Sequence, residues 1–223
     1  MTDRASLILP KSVSLNFNSN LLYPVLNQAR ISVMTEHDQM ISCIILAGGQ
    51  AQRMQGQDKG LVSFRGRPLI EHVIDRVKPQ VDQIIISANR NTEHYACYTD
   101  QVIPDQNPGF SGPLAGIASC MPHCRHALTL VVACDMPQLP KNLVTRLSSA
   151  IHEHEVAIVS CELRQQIALL LKTDLLDSIA LALASNNFKF LDWIDNRDTV
   201  AVEFTDTSAF INLNTLSDLG SVS

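Results

Sequence analysis

The sequence lacks both a long apolar run and an excess of positive charge. A transmembrane helix needs about 20 consecutive apolar residues, and no such run occurs in the 223 residues. The formal net charge of −5 argues against a broad nucleic-acid surface. The composition, 46% apolar and 17% charged, is typical of a soluble globular protein, for which we expect one domain with or without an appendage. We therefore expect neither membrane nor nucleic-acid binding.

Cysteines are too few and too scattered for a disulfide-dense secreted protein. The six cysteines are scattered, several of them within apolar runs, so we expect reduced thiols and a cytoplasmic location. Cys120, His123, Cys124 and His126 could suggest zinc, but Pro122 interrupts the cluster and no second ligand pair follows at zinc-finger spacing. A helix end with buried thiols is the favoured interpretation there.

Three common active-site motifs are also missing. The Gly-x-x-x-x-Gly-Lys-Ser/Thr loop of many ATPases is absent, and so is the Gly-x-Ser-x-Gly elbow of serine hydrolases. The pair Gly48-Gly49 is followed by Gln-Ala-Gln and does not complete the Gly-x-Gly-x-x-Gly fingerprint of dinucleotide-binding enzymes. A nicotinamide dehydrogenase therefore has little support.

Residues 1–39 contain no glycine, and no acidic residue occurs between Arg4 and Thr35. The apolar piece Leu7–Pro10 is too short for a secretory signal, and the acid-poor composition fits an organelle transit peptide only weakly. We expect residues 1–39 to be an extension, either disordered or an over-long gene start. Residues 40–223 are expected to form the functional domain.

From residue 40 onward, strand and helix patterns alternate, which predicts an α/β fold with a mainly parallel central sheet and helices on both faces. Strands are expected over 41–47, 83–88, 101–104, 128–133, 156–160, 167–172, 199–204 and 210–213. A short extended piece over 61–64 leads into a turn. Helices are expected over 68–77, 91–98, 114–121, 140–151 and 174–184, with a short amphipathic piece over 188–194.

A glycine loop follows the first apolar strand. Gly48 and Gly49 allow a close backbone approach to a ligand, and backbone N–H groups at such a turn favour phosphate. Arg53 and Lys59 lie just downstream, in a basic stretch whose only acid is Asp58. Both cations could neutralise a triphosphate, although two solvated loop cations would explain the pattern about equally well.

Two acidic residues follow other expected strands. Because parallel strands present ligands at their carboxyl ends, Asp105 and Asp135 should share an edge with Gly48. Asp135 after a mostly apolar strand suits a Mg²⁺ ligand, and we favour this over a helix cap because the next helix is expected to begin only at Pro140. Asp105 could accept a hydrogen bond from a base or sugar, or simply end a strand.

Four motifs in order resemble the molybdenum cofactor guanylyltransferase family, over about residues 40–219. The first motif, which many nucleotidyltransferases share, includes Leu46-Ala47-Gly48-Gly49, Arg53-Met54 and Asp58-Lys59-Gly60. The others are Gly112-Pro113-Leu114-Ala115-Gly116, Cys134-Asp135-Met136-Pro137 and Ile211-Asn212-Leu213-Asn214-Thr215.

The resemblance implies a Rossmann-like fold of the nucleotide-diphospho-sugar transferase type. It also implies transfer of GMP from GTP to molybdenum-molybdopterin, which forms the molybdopterin guanine dinucleotide cofactor and pyrophosphate without a covalent enzyme intermediate. Mg²⁺ is the implied cofactor. Further implied partners are proteins of molybdopterin synthesis and apo-molybdoenzymes.

The resemblance also implies roles for individual residues. It assigns catalysis to Arg53, Lys59 and Asp135, with Asp135 as the metal ligand. It assigns GTP binding to these strand-end and loop residues: Leu46, Ala47, Gly48, Lys59, Asp105 and Asp135. The pterin half of the site falls to Asn212 and Asn214.

The chain departs from the family pattern at Gln55, where many relatives have glycine, and at Ser87, where many have asparagine. The nearest alternative is a molybdopterin cytidylyltransferase. Members of that family have a motif like Leu-Ala-Ala-Gly, with alanine where this chain has Gly48. A sugar-phosphate nucleotidyltransferase would share only the first motif. The fold alone also leaves open a nucleotide-binding module that delivers the cofactor without catalysis.

Overall fold

The computed structural model describes residues 40–48, 57–99, 101–106, 112–162 and 164–213. Several sequence predictions fall outside these ranges and stay predictions. They concern the extension over 1–39 and the residues Arg53, Gln55 and Asn214.

A seven-stranded sheet forms the centre of the fold. Its strands are β1 Ile41–Leu46, β4 Gln83–Ser87, β5 Val102–Ile103, β6 Leu128–Ala133, β7 Val156–Cys161, β8 Arg164–Lys172 and β9 Thr199–Glu203, and a small separate hairpin joins β2 Ser63–Phe64 to β3 Arg67–Pro68. The order across the sheet is β5-β4-β1-β6-β8-β7-β9. Neighbouring strands are parallel except where β8 pairs with β6 and β7. The mainly parallel α/β sheet is therefore confirmed.

Helices cover both faces of this sheet, as the alternating pattern predicts. They are α1 Leu69–Val77, α2 Thr92–Tyr95, α3 Pro113–Cys120, α4 Leu143–Ile151, α5 Leu176–Ala184 and α6 Phe190–Asp195. One core contains the inward residues of α1 and α4, and a second core contains those of α3, α5 and α6. Among the described residues, no helix has both the length and the apolar character to cross a membrane.

The central strands contribute alternate residues to the two cores. In β1, Cys43 and Ile45 face the first core and Ile44 faces the second, all with no exposed surface. A strand buried on both faces is mainly apolar on both, rather than only at every second position. This explains the largely apolar runs of β1 and β6, each of which contains one buried polar residue, Ser42 and Thr129.

Two expected elements differ most clearly from the structure. The strand expected over 210–213 is wrong: a 3₁₀ turn covers Thr207–Phe210, and the side chain of Asp206 caps it. Phe210 is buried there because its ring packs edge-on against Phe204, with 5.0 Å between ring centroids. The helix expected over 91–98 is shorter than predicted and ends at Tyr95.

The parallel strands β5, β4, β1 and β6 lie side by side, so the residues that follow them share one edge of the sheet. Asp105 follows β5, Asn89 follows β4, Gly48 follows β1 and Asp135 follows β6. The fold therefore brings together residues that are up to 87 positions apart in sequence, as Gly48 and Asp135 show.

Candidate active site

Lys59 and Asp135 meet at this edge. The Nζ of Lys59 donates to Oδ2 of Asp135, and the two side chains are 20% and 9% exposed. Lys59 begins a 3₁₀ turn over Lys59–Leu61, and Asp135 lies two residues beyond β6. The contact joins the lysine predicted to bind phosphate to the carboxylate predicted to bind Mg²⁺.

The second carboxylate oxygen of Asp135 differs from the first in its contacts. Its Oδ1 is buried and has no hydrogen-bond partner among the described residues. A carboxylate oxygen with this open coordination is a donor that Mg²⁺ prefers. The helix α4 begins at Leu143, eight residues later, so Asp135 does not cap it and the alternative role as an N-cap is wrong.

The end of β1 is held between its two neighbours. The amide of Ala47 donates to the carbonyl of Ser87 at 2.8 Å, and the amide of Cys134 donates to the carbonyl of Leu46 at 3.0 Å. These bonds engage the Leu46 carbonyl and the Ala47 amide within the protein. The backbone from the Ala47 carbonyl to Gly48 is therefore the part of this motif best placed to face a ligand.

Asn89 and Asp105 form a reciprocal pair beside Gly48. The amide nitrogen of Asn89 donates to Oδ2 of Asp105, the backbone amide of Asp105 donates to Oδ1 of Asn89, and both distances are 2.7 Å. Oδ1 of Asp105 is buried and has no hydrogen-bond partner among the described residues. Asp105 thus keeps one oriented acceptor, which favours a binding role over a mere strand end.

Helix α3 approaches the same edge closely through its glycine. A Cβ atom at Gly116 would lie 2.6 Å from Oγ of Ser87 and 3.0 Å from Cδ2 of Leu46. At the start of the motif, Gly112 has φ of +116° and a Cβ there would lie 3.3 Å from the carbonyl of Phe188. Ser87 is 1% exposed, so in this chain its short side chain is covered by α3.

The last described residues return to Asp135. The amide of Leu213 donates to the carbonyl of Asp135 at 3.1 Å, and Leu213 is buried against Phe64 and Leu69. This bond brings Asn212 beside the loop that holds Asp135. Of the predicted site residues, Leu46, Ala47, Gly48, Lys59, Asp105, Asp135 and Asn212 lie at this edge, whereas Arg53 and Asn214 lie outside the described residues.

The thiol of Cys134, next to Asp135, stays in its neutral form. Burial raises the pKa of Cys134 above its ordinary value, and the neighbouring charge of Asp135 raises it further. Cys134 is 4% exposed and stays a neutral thiol at physiological pH, so it is a poor nucleophile. All six cysteines are free thiols, as the sequence predicts.

Sequence reasoning missed a buried carboxylate beside Lys59. Asp58 entered that argument only as a motif position and the single acid of a basic stretch, yet it is 7% exposed. It accepts hydrogen bonds from the hydroxyl of Tyr95 at 2.6 Å and from the amide of Asn91 at 3.0 Å. The isolation of one acid among several loop cations was the available signal.

Comparisons with known proteins identify the family of this chain. Residues 43–198 match the family model described as MobA-like NTP transferase domain. A molybdenum cofactor guanylyltransferase from Shewanella amazonensis is 45% identical over 179 residues, which are 78% of this chain and 91% of the relative. A molybdenum cofactor guanylyltransferase from Shewanella putrefaciens is 43% identical over 182 residues, covering 80% and 93% of the two chains.

A solved structure supports the fold assignment. Molybdopterin-guanine dinucleotide biosynthesis protein A from Archaeoglobus fulgidus superposes with a TM-score of 0.68 at 21% identity, covering 82% of this chain and 96% of that one. At this identity the likeness shows the fold, and the family model and the close relatives show the family. The chain belongs to the MobA-like NTP transferases and groups within them with the molybdenum cofactor guanylyltransferases.

Proposed function

We propose that the protein transfers GMP from GTP to the phosphate of molybdenum-molybdopterin and releases pyrophosphate. An oxygen of the pterin phosphate attacks the α-phosphorus of GTP, and the bond to the bridging β-oxygen breaks with its electron pair leaving on pyrophosphate. The contact between Lys59 and Asp135 carries the proposal. It places a lysine suited to bind phosphate against a carboxylate suited to bind a metal ion, at one edge of the sheet. The names of the close relatives support the two substrates.

Asp135 is the residue that would hold Mg²⁺. Its buried Oδ1 without a described hydrogen-bond partner fits a hard divalent cation. The bound ion would supply charge neutralisation on the phosphate oxygens. Two hydrogen bonds fix the backbone around Asp135: the Leu213 amide donates to the Asp135 carbonyl, and the Cys134 amide donates to the Leu46 carbonyl. Asp135 would therefore hold the ion in a fixed position.

Lys59 binds the triphosphate and stabilises the charge that develops on pyrophosphate. A fixed cation near the departing oxygens lowers the barrier more than it lowers the energy of bound substrate. Arg53 is proposed to share this work as a fork of donors. In-line geometry and positioning provide the remaining acceleration, without a covalent intermediate.

Guanine is proposed to bind beside Leu46, Ala47 and Gly48. Its base edge carries N–H donors, which match the Ala47 carbonyl and the free oxygen of Asp105. A Cβ atom at Gly48 would lie 3.4 Å from the amide nitrogen of Asn89, which holds Asp105. Alanine at this position, as in the cytidylyl family, would therefore bring its methyl group into van der Waals contact with the amide that orients Asp105.

Asn212 is proposed to contact the pterin half of the site together with Asn214. The Leu213 bond to the Asp135 carbonyl supports a position close to the reacting phosphates. Proteins of molybdopterin synthesis and apo-molybdoenzymes are proposed to deliver the substrate and receive the product in the cytoplasm.

A nucleotide competition tests the proposed function. GTP and CTP are offered together at equal concentration with Mg²⁺ and molybdenum-molybdopterin, and the product is scored by its base and by pyrophosphate release. We expect a preference for GTP of at least about 100-fold, because a site built on hydrogen bonds discriminates strongly. The matched control omits the pterin and should release no pyrophosphate.

The alternatives give different results in the same experiment. Equal or preferred use of CTP would indicate a cytidylyltransferase. Pyrophosphate release with a sugar phosphate in place of the pterin would indicate a sugar-phosphate nucleotidyltransferase. GTP binding without pyrophosphate release would indicate a delivery module.

A further inference from the structure

Asp58 is a buried carboxylate that the reaction as proposed does not use. Its side chain is 3% exposed, although it directly precedes the half-buried Lys59. An ionised carboxylate is costly to bury unless hydrogen bonds or opposite charges compensate it. The surroundings of Asp58 should therefore explain why the chain keeps a charge there.

Three side chains from the segment after β4 surround this carboxylate. The Tyr95 hydroxyl donates to Oδ1 at 2.6 Å, and the Asn91 amide donates to Oδ2 at 3.0 Å. The guanidinium of Arg90 lies 3.6 Å from Oδ2, and it also donates to the carbonyl of Gln57 at 3.2 Å. Both oxygens are thus satisfied by groups from residues 90–95.

The Tyr95 hydroxyl is suited to permanent donation. The side chain has no exposed surface, and burial raises the pKa of its phenol above the ordinary value. The phenol therefore stays protonated at every pH at which the protein is expected to work. Hydrogen bonds to a carboxylate are stronger than those between neutral groups, and this one is short, at 2.6 Å.

The neighbouring backbone is closely fitted to the same tyrosine. A Cβ atom at Gly60 would lie 2.5 Å from the Tyr95 hydroxyl oxygen. The amide of Leu61 donates to the Asp58 carbonyl at 3.0 Å, which closes the turn that contains Lys59. Lys59 is therefore fixed on both sides, by the Asp58 carboxylate before it and by Gly60 against the ring after it.

We propose that Asp58, held by Tyr95 and Asn91, is a positioning residue that places Lys59 on the triphosphate. We call Asp58, Asn91 and Tyr95 the lysine anchor. The inference rests on the proposed function, because it assigns the anchor its role through Lys59. A lysine side chain is flexible but of fixed length, so the position of its backbone limits which phosphate oxygens its ammonium can reach. Small displacements of a catalytic group lower rates strongly.

The first test is Tyr95→Phe, which removes one hydroxyl and keeps the buried ring. We expect kcat/KM for GTP to fall at least fivefold while the melting temperature changes by only a few degrees. Tyr98→Phe is the matched control, because its hydroxyl donates to Glu71 at 3.1 Å and does not contact the lysine anchor. We expect this control to stay within twofold of the unmodified protein. Equal rates for the two variants would overturn the proposal.

The second test asks whether the anchor acts through Lys59. Dissociation constants for GTP with Mg²⁺ are measured by calorimetry for the unmodified chain, Tyr95→Phe, Lys59→Ala and the double variant. If Tyr95 positions Lys59, its substitution should weaken binding severalfold in the unmodified chain and less than twofold when Lys59 is already absent. The same weakening in both backgrounds, or none in the first, would overturn the proposal.

The controls separate this failure from failure of the proposed function. If the unmodified protein releases no pyrophosphate from GTP and pterin, the proposed function fails, whatever the variants do. If it turns over normally but Tyr95→Phe behaves like Tyr98→Phe, only the role of the lysine anchor fails.

Discussion

At the scale of single residues, the charge of Asp135 should matter more than its shape. Asp135→Asn keeps the side-chain size but removes the charge that pairs with Lys59 and would hold Mg²⁺. We expect transfer to fall about 100-fold or more, since a lost metal contact costs several kcal/mol of transition-state stabilisation. Steady-state pyrophosphate release at saturating GTP and pterin measures this.

The control for Asp135→Asn is Asp192→Asn, at an exposed carboxylate that lies 3.8 Å from Lys189. Exposed pairs contribute little, so its activity should be unchanged. Near-normal transfer by Asp135→Asn in Mg²⁺ would remove Asp135 from the metal site. A collapse of the melting temperature would instead identify Asp135 as a structural residue.

The thiols differ in reactivity because their burial differs. Burial raises the pKa of Cys120 to about 12, so at pH 8 only about one thiol in ten thousand is ionised there. The thiolate is the reactive form, and Cys97 is exposed. We therefore expect iodoacetamide at pH 8 to label Cys97 in the folded protein and to label Cys120 only after unfolding.

Peptide mass spectrometry after timed labelling checks this prediction, and fully denatured protein serves as the control. Because the folded-state pKa of Cys120 is raised, its contribution to stability is present below the unfolded thiol pKa. It is lost as the pH rises from there toward about 12. Labelling of Cys120 as fast as Cys97 in the folded protein would contradict the burial argument.

At the scale of elements, the turn Lys59–Leu61 and helix α2 should be coupled. Gly60→Ala places a methyl group 2.5 Å from the Tyr95 hydroxyl oxygen and 3.2 Å from Cε1 of its ring. The ring is fully buried, so it cannot move without disturbing the core. We expect a loss of about 1–3 kcal/mol in the free energy of unfolding, the usual cost of overpacking.

Urea denaturation measures this loss, and Gly60→Ala with Tyr95→Phe is the companion variant. Removing the hydroxyl relieves the shortest contact, so the double variant should lose less stability than the two single variants add up to. Strict additivity would show that the turn and the helix are energetically independent.

Element boundaries show where sequence reasoning reaches its limit. The helix expected over 140–151 begins at Leu143 because the side chain of Gln80, about sixty residues earlier, accepts from the Val144 amide at 3.0 Å and donates to the Pro140 carbonyl at 3.1 Å. A cap from a distant residue leaves no local trace. By contrast, β6 matches its expected bounds of 128–133 because a strand buried on both faces gives a nearly continuous apolar run, in which Thr129 is the one polar residue.

The strand expected over 210–213 fails for a related reason. Apolar character predicted burial, and Phe210 and Leu213 are buried. The backbone there pairs with a loop carbonyl at Asp135 rather than with a strand. A short apolar run indicates that a segment is covered but does not specify its hydrogen-bond partners.

At the scale of the whole molecule, the common edge of the sheet could be predicted because parallel strands must end together. Asp105 and Asp135 were expected there beside Gly48, and the strand order brings them to that edge. The lysine anchor could not be predicted in the same way, since the contact between Asp58 and Tyr95 depends on how the turn at Lys59 packs against helix α2. The family motif includes Asp58 but neither Asn91 nor Tyr95, so it does not indicate the side chains that hold this carboxylate.

The whole-molecule prediction concerns the extension. Deleting residues 1–39 should leave transfer and melting temperature unchanged, because the proposed site lies entirely beyond residue 40. Deleting residues 1–43 should abolish transfer and the cooperative thermal unfolding of the protein. The reason is that β1 lies between β4 and β6 and starts at Ile41, whose amide donates to Asp82 at 2.8 Å. Pyrophosphate release and thermal denaturation of both truncations measure this. Loss of activity or solubility in the shorter deletion would make the extension part of the working enzyme, whereas survival of the longer one would contradict a central role for β1.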